Sequence, residues 1–87
     1  MLDVYYQIRL TLYFSKLNLK KLYKKLEINQ NILNDKYNKY EMAKIMANDD
    51  RFTALFLLSK KDYMKQLEIV NLLKRIIQDK ERKINRD

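Results

Sequence analysis

Glycine, proline, cysteine, histidine and tryptophan are all absent from this sequence. Average composition would supply roughly ten glycines and prolines in a chain of this size. Tight β-hairpins depend on glycine, asparagine or proline, so a multi-stranded β-fold is disfavoured. Helices can be connected through asparagine and aspartate, which are plentiful here. The composition therefore predicts an all-α protein.

The missing cysteine and histidine restrict the chemistry. Without cysteine there is no disulfide framework, no thiolate metal site and no thiol nucleophile. Without histidine, the commonest general base and the commonest zinc ligand are both absent. A phosphate-binding loop needs glycine, and the only adjacent carboxylates, Asp49 and Asp50, are placed to cap a helix. We therefore predict a protein that is not an enzyme and uses no metal, cofactor or small-molecule substrate.

Long hydrophobic runs are also missing. The run from Ala54 to Leu58 is far shorter than the roughly 20 residues that cross a bilayer. Met1–Asp3 has no basic segment of the kind that opens a signal peptide. The sequence predicts one helical domain, residues 1–87, in the cytoplasm and without a membrane partner.

Basic residues dominate the charge. Nineteen lysines and arginines against eleven acidic residues leave a formal net charge of +8, which predicts attraction to anionic partners. Lysine, asparagine, isoleucine and tyrosine fill 37 of the 87 positions. Their codons are rich in A and T, which indicates a low-GC bacterium, or a phage or plasmid living in one.

The segment from Val4 to Phe14 fits two patterns. Apolar and polar residues alternate along part of it, as in a strand. A helix is favoured, because an unpaired strand is not viable and would need a partner from a second copy. In the helix, an apolar stripe is formed by Leu2, Tyr6, Leu10, Tyr13 and Leu17.

Asparagine and aspartate mark the remaining boundaries. Asn18 and Asn29 are predicted helix N-caps, and Asn48–Asp50 is the strongest break in the chain. A short helix over Phe52–Leu58 and a long helix over about 60–83 follow, with a frayed tail at 84–87. The expected fold is a compact bundle of four to six helices.

The last helix has an apolar face wider than a two-stranded coiled coil needs. It is therefore expected to pack against two neighbours, one of which can belong to a second copy in a homodimer. The candidate protein-interaction residues are Phe52, Leu55, Phe56, Val70, Leu73 and Ile77.

A third pattern lies between Ile8 and Leu33. Ile8-Arg9 is followed by Leu17-Asn18, Leu22-Tyr23, the run Leu26-Glu27-Ile28-Asn29-Gln30, and Leu33. This spacing resembles that of helix-turn-helix regulators of the phage-repressor type. Two positions depart from that family, since Tyr23 replaces a small alanine and Glu27 replaces the glycine of the turn.

The resemblance implies a helix-turn-helix over residues 18–35. Its second helix, starting at Gln30, would enter the major groove of DNA. The side-chain amides that would face the bases, and can pair with adenine, belong to Gln30, Asn31 and Asn34. The phosphate contacts would come from Lys20, Lys21, Lys24 and Lys25.

The function predicted first is therefore that of a small DNA-binding regulator. A second hypothesis is a helical protein-interaction module that binds a host protein, such as an inhibitor of a nucleic-acid enzyme or a bacteriocin-immunity-like bundle. A third is a ribbon-helix-helix dimer, in which Gln7, Arg9 and Thr11 would point from paired strands toward DNA.

Overall fold

The structure is a computed structural model that describes residues 3–85. Within that range the chain forms three α-helices: α1 (Val4–Ser15), α2 (Leu19–Met46) and α3 (Thr53–Asn85). A short 3₁₀ helix, Asp50–Phe52, precedes α3. The all-α prediction is confirmed for these residues, and the long C-terminal helix with it. The expected number of four to six helices is wrong, because two of the predicted breaks do not occur.

Helices α2 and α3 form a long antiparallel hairpin. Gln66 of α3 bonds to Asn29 near the middle of α2, and Lys80 near the end of α3 bonds to Leu17 just before α2 begins. The molecule measures 57 × 24 × 17 Å, with a radius of gyration of 16.1 Å. A compact domain of this length would have a radius of about 12 Å. The fold is therefore an elongated rod, and the predicted compact shape is wrong.

The contact between α2 and α3 is a heptad seam. Along both helices, every residue at alternating spacings of three and four is buried or half-buried, which is the repeat of a coiled coil. The seam positions along α2 and at the residue that follows it are Leu19, Leu22, Leu26, Asn29, Leu33, Lys36, Tyr40, Ala43 and Ala47. Those running into and along α3 are Phe52, Phe56, Ser59, Tyr63, Gln66, Val70, Leu73, Ile77 and Lys80.

Helix α1 packs beside the half of the hairpin that contains the chain's aliphatic core. Phe14 of α1 is buried in one cluster with Leu22, Leu73, Ile76 and Ile77. Because α3 contacts both α1 and α2, its wide apolar face has the two neighbours that the sequence predicts, and both belong to this chain.

Val70, Leu73 and Ile77 must be reassigned. They are 1%, 0% and 4% exposed and lie inside the intramolecular core. The prediction that they form a surface for another molecule is therefore wrong. Their apolar side chains stabilise the hairpin, and burial of this kind contributes about 1.5–3 kcal/mol for each large aliphatic side chain.

The ambiguous first segment is helical. The Asp3 carboxylate caps α1 by accepting a hydrogen bond from the Tyr5 backbone N–H at 3.2 Å. Leu10 and Leu17 of the predicted apolar stripe pack on the core, while Leu2 lies outside the described residues. The strand that a ribbon-helix-helix dimer requires does not form at Val4–Ser15, so that hypothesis is wrong.

Helix α2 runs without interruption through the predicted helix-turn-helix. The Asn18 cap is confirmed, since its Oδ1 accepts from Lys21 N–H at 2.9 Å. The turn expected at Glu27–Asn29 is wrong, because both residues lie inside α2. A left-handed turn there would cost Glu27 about 1–2 kcal/mol, and no residue in the described range has a positive φ.

The Asn29 side chain has a different use from capping. Its Nδ2 donates to the Lys25 carbonyl oxygen at 2.8 Å, and its Oδ1 accepts from Gln66 Nε2 at 3.0 Å. Gln66 Nε2 also lies 3.0 Å from the Asn29 carbonyl oxygen. This pair forms a polar layer in the seam. On one side of it lies the aliphatic half, and on the other lies the half nearer the connection between α2 and α3, which contains several aromatic side chains.

The break at Asn48–Asp50 is confirmed, since α2 ends at Met46 and the 3₁₀ helix begins at Asp50. Asp49 caps that helix through Arg51 N–H, and its Oδ2 lies 2.7 Å from Arg51 Nη2. Hydrogen bonds from the Arg51 side chain and backbone lower the pKa of Asp49. Helix α3 then continues from Thr53 to Asn85, so Phe52–Leu58 is not a separate helix, and residues 84 and 85 are part of α3. The last two tail residues lie outside the described range.

The polar layer gives a test of the seam. Replacing Gln66 with Leu removes the donor to the Asn29 side chain and should lower the free energy of unfolding by about 1 kcal/mol or somewhat more. Replacing both Asn29 and Gln66 with Leu should recover most of that loss, because both partners then become apolar. Urea unfolding followed by circular dichroism measures both effects. The exposed Asn38→Leu is the control, and a double variant less stable than Gln66→Leu would contradict the pairing.

Candidate nucleic-acid interface

The positive charge lies almost entirely at one end of the rod. The antiparallel hairpin brings the start of α2 beside the second half of α3, and we call residues 16–27 and 70–85 the basic end. It contains ten basic and three acidic residues, a formal net charge of +7. Residues 28–69 contain seven basic and six acidic residues. Nearly all of the +8 therefore belongs to the basic end.

This distribution argues against codon bias as the whole source of the charge. An A/T-rich genome raises lysine throughout a sequence, yet the other half of the hairpin is almost neutral. The basic residues of this end, eight of which are exposed, are Lys16, Lys20, Lys21, Lys24, Lys25, Lys74, Arg75, Lys80, Arg82 and Lys83. A concentration of one sign on an exposed surface raises the local concentration of anionic partners.

Two of these side chains are held by the fold and are half-buried. Lys25 Nζ lies 6.0 Å from the centroid of the Tyr13 ring, at the limit of a cation–π contact. Lys80 Nζ donates to the Leu17 carbonyl oxygen at 2.6 Å. This contact places a cation beside the connection that follows α1, where the negative end of that helix favours it. These two lysines stabilise the basic end more than they present charge to solvent.

Helix α2 carries its lysines where they weaken it. The first turn contains Lys20 and Lys21 and no acidic residue. The N-terminal end of a helix has a partial positive charge, so each cation there costs about 0.3–1 kcal/mol at low ionic strength. The exposed Lys24 in the next turn adds like-charge repulsion. Residues kept at a cost to stability point to a role outside folding.

The predicted base-reading residues are not at the start of a helix. Gln30 is half-buried, while Asn31 and Asn34 are exposed, and all three lie within α2. A recognition helix presents its N-terminal residues to base edges, and residue 30 is more than three turns from the start of α2. The structure therefore separates these amides from the geometry that the resemblance implies. Lys20, Lys21 and Lys24 remain exposed on the preceding turns of the same helix, and Lys25 is half-buried.

The other predicted interaction residues lie near the opposite end of the rod. Phe52 and Phe56 are half-buried, and the Phe56 ring stacks on Tyr40 with centroids 5.7 Å apart. Tyr40 also stacks on Tyr63 at 5.4 Å. Leu55 is 46% exposed. Of the three, only Leu55 is classed as exposed, with nearly half of its surface open to solvent.

Sequence reasoning missed the second half of the basic end. Lys74, Arg75, Arg82 and Lys83 lie about 50 residues beyond the first lysine cluster. They share its end of the molecule because α2 and α3 are antiparallel. The signal in the sequence is the heptad repeat of each helix. Aligning the two repeats in antiparallel directions with Leu22 beside Leu73 would have placed both basic clusters at the same end.

Two further properties concern the described residues as a whole. Between residues 3 and 85, no three acidic side chains lie close enough to hold a metal ion. None of the helices in that range combines the length and the apolar character that a membrane span requires.

Comparisons of this chain with protein-family models, with curated proteins and with solved structures found no match.

The cost of the first-turn lysines can be measured. Replacing Lys20 and Lys21 with Gln should raise the melting temperature at about 10 mM salt, because the pair should contribute about 1 kcal/mol of repulsion from the helix dipole. Thermal melts followed by circular dichroism at about 10 mM and about 0.5 M salt test this, since screening should remove most of the gain. Lys60→Gln with Lys61→Gln, in the interior of α3, is the matched control. An equal gain in both variants would show that the position of Lys20 and Lys21 at the helix terminus is not what destabilises the protein.

Proposed function

We propose that the protein binds DNA through its basic end, by contacts to phosphates and not by reading base edges. The single observation that supports this is the location of +7 of the net charge at one end of a rod whose other half is nearly neutral. Double-stranded DNA carries one negative charge per about 1.7 Å of its axis. Exposed lysines and arginines gathered at one end of two neighbouring helices are suited to such a surface.

The continuity of α2 supports this mode of binding. A continuous α2 offers no second helix whose first residues could enter the major groove. Phosphate contacts position a protein on DNA without carrying sequence information directly. The role that fits is that of a small accessory or regulatory protein that associates with DNA of many sequences.

A protein-interaction module is the second candidate function. The observation that favours it is the apolar outer surface of α1, where Val4, Ile8 and Leu12 are 69%, 53% and 59% exposed. Exposed aliphatic residues in a contiguous row are characteristic of surfaces that contact another protein. The two candidates use different surfaces, so one does not exclude the other.

A salt titration with two matched variants tests the DNA proposal. The basic-end variant replaces Lys20, Lys21, Lys24 and Lys74 with Ala, and the control replaces Lys39, Lys44, Lys60 and Lys61. All eight lysines are exposed, and either variant lowers the net charge from +8 to +4. Each phosphate contact contributes about 0.9 to the slope of log K against log salt. The basic-end variant should therefore lose up to about 3.6 of that slope, and the control little.

The outcomes separate three explanations. Equal losses in the two variants would show that net charge alone attracts DNA and would overturn the role of the basic end. No binding by the wild type to mixed duplex DNA at low salt would overturn the DNA proposal and leave the protein-interaction candidate. Circular dichroism establishes that both variants stay helical, as alanine in a helix should allow.

The mode of binding has a separate test. Replacing Asn31 and Asn34 with Ala should leave the affinity for AT-rich and GC-rich duplexes unchanged, because these amides lie within α2 and are not expected to reach base edges. Loss of a bidentate contact to adenine would instead cost about 1–3 kcal/mol on the preferred sequence. Competition binding with the two duplexes measures the difference. A selective loss on AT-rich DNA would contradict phosphate-only binding.

A further inference from the structure

A groove runs between α1 and α3 on the outer side of the rod. Its volume is about 460 Å³. One wall is the aliphatic row Val4, Ile8 and Leu12, spaced by four residues along α1. The other wall is formed by Glu68, Asn71, Leu72 and Arg75 of α3, with Gln7 and Thr11 of α1 also in the lining.

The two walls of the groove are centred at the same level. Helices α1 and α3 run in the same direction, because Asp3 and Tyr6 lie beside Lys65 and Ile69, while Phe14 packs on Ile77. Ile8, the middle of the aliphatic row, is therefore level with Asn71 and Leu72. On α1, Val4 and Leu12 lie one turn to either side of that level. On α3, Glu68 and Arg75 lie about one turn to either side of it.

The rim of the groove is complementary to itself. Glu68 and Arg75 are seven residues apart, about 10 Å along the helix, with opposite charges on either side of the centre. A two-fold axis through the centre would bring Glu68 of each copy opposite Arg75 of the other, which gives two such pairs. Glu68 already takes part in an interaction within its own chain, and a carboxylate can accept hydrogen bonds at both oxygens.

The apolar and polar residues at the centre fit the same axis. Val4 would lie over Leu12 of the second copy, and Ile8 over its own counterpart. Asn71 would face itself, and a side-chain amide can both donate to and accept from an identical amide. This arrangement is the isologous contact of a two-fold dimer, in which one patch serves both subunits.

We propose that this groove is the surface through which two copies of the chain associate, α1 against α1 and α3 against α3 in antiparallel directions. The contact covers the exposed aliphatic row of α1. It is bounded by Lys61 and Arg82, which continue the line of Glu68 and Arg75 and would face each other as like charges. A contact of this limited extent belongs to the weak class of interfaces, so micromolar dissociation is expected.

Sedimentation equilibrium over a range of concentrations up to about 1 mM tests the proposal. The wild type should approach twice the 10.7 kDa of the chain, and Ile8→Lys should remain a monomer, because a charge would be buried against its own counterpart. Ile45→Lys is the matched control, since that isoleucine is also exposed, at 72%, but lies on α2. Circular dichroism checks that both variants fold, as substitutions at exposed positions should.

Charge exchange tests the axis itself. Arg75→Glu should weaken the dimer at least tenfold, because it would set two carboxylates opposite each other at each end of the contact. The double variant Glu68→Arg with Arg75→Glu should restore the dimer affinity. A purely structural role of either residue within one chain would not produce that recovery. A monomeric wild type, or a dimer that Ile8→Lys does not affect, would overturn the proposal. A dimer sensitive to Ile8→Lys but not to Arg75→Glu would overturn the two-fold arrangement. DNA binding is measured separately, so the failure of either proposal is recognisable.

Discussion

The antiparallel seam between α2 and α3 is the contact on which the rest of the molecule depends. Its spacing of three and four residues stays in phase from Leu19 to Ala47 and from Phe52 to Lys80. A heptad repeat keeps facing its partner only if the helices stay continuous. That continuity fixes the register, which pairs Asn29 with Gln66 and Leu17 with Lys80. The register then decides which surface residues become neighbours.

The composition of the seam changes along its length, and this change accounts for the position of α1. Near the basic end the seam is aliphatic and includes Leu22 and Leu73, which are fully buried with the help of Phe14. In the opposite half, the rings of Phe56 and Tyr63 both stack on Tyr40, and Lys36 Nζ lies 3.0 Å from Asp62 Oδ1. In that half, flat rings and the small Ala43 allow α2 and α3 to pack together without a third helix. In the aliphatic half, α1 packs against the core through Phe14.

Two surface features stand out on the described part of this rod: a cationic end and an apolar row. Both are unfavourable for the isolated chain, because like charges repel and exposed aliphatic side chains order water. Each becomes favourable on contact with a partner of the right chemistry. The two surfaces adjoin at Arg75, which belongs to the basic end and also lines the groove beside the aliphatic row.

The spacing that suggested a helix-turn-helix belongs to the seam. Leu22, Leu26 and Leu33 satisfy both patterns, since each pattern places leucines four and seven residues apart. The two patterns differ at residue 27, where the turn needs a left-handed conformation that Glu27 resists. The sequence shows that Glu27 replaces the glycine of the turn. That α2 continues past this position as a continuous helix depends on its packing against α3. Leu33 and Lys36 continue the seam only because a partner helix is present along their whole length.

The sequence alone determined the helical class, the Asn18 cap and the break at Asn48–Asp50, because these follow from local backbone preferences and from the absence of glycine and proline. It also determined that α3 needs two neighbours, since the width of an apolar face is a property of one helix. The tertiary structure decided the number of helices, the burial of Val70, Leu73 and Ile77, and the meeting of two distant lysine clusters. These depend on the antiparallel register of α2 and α3, which is set by contacts between residues some 40 to 60 positions apart and has no local signature.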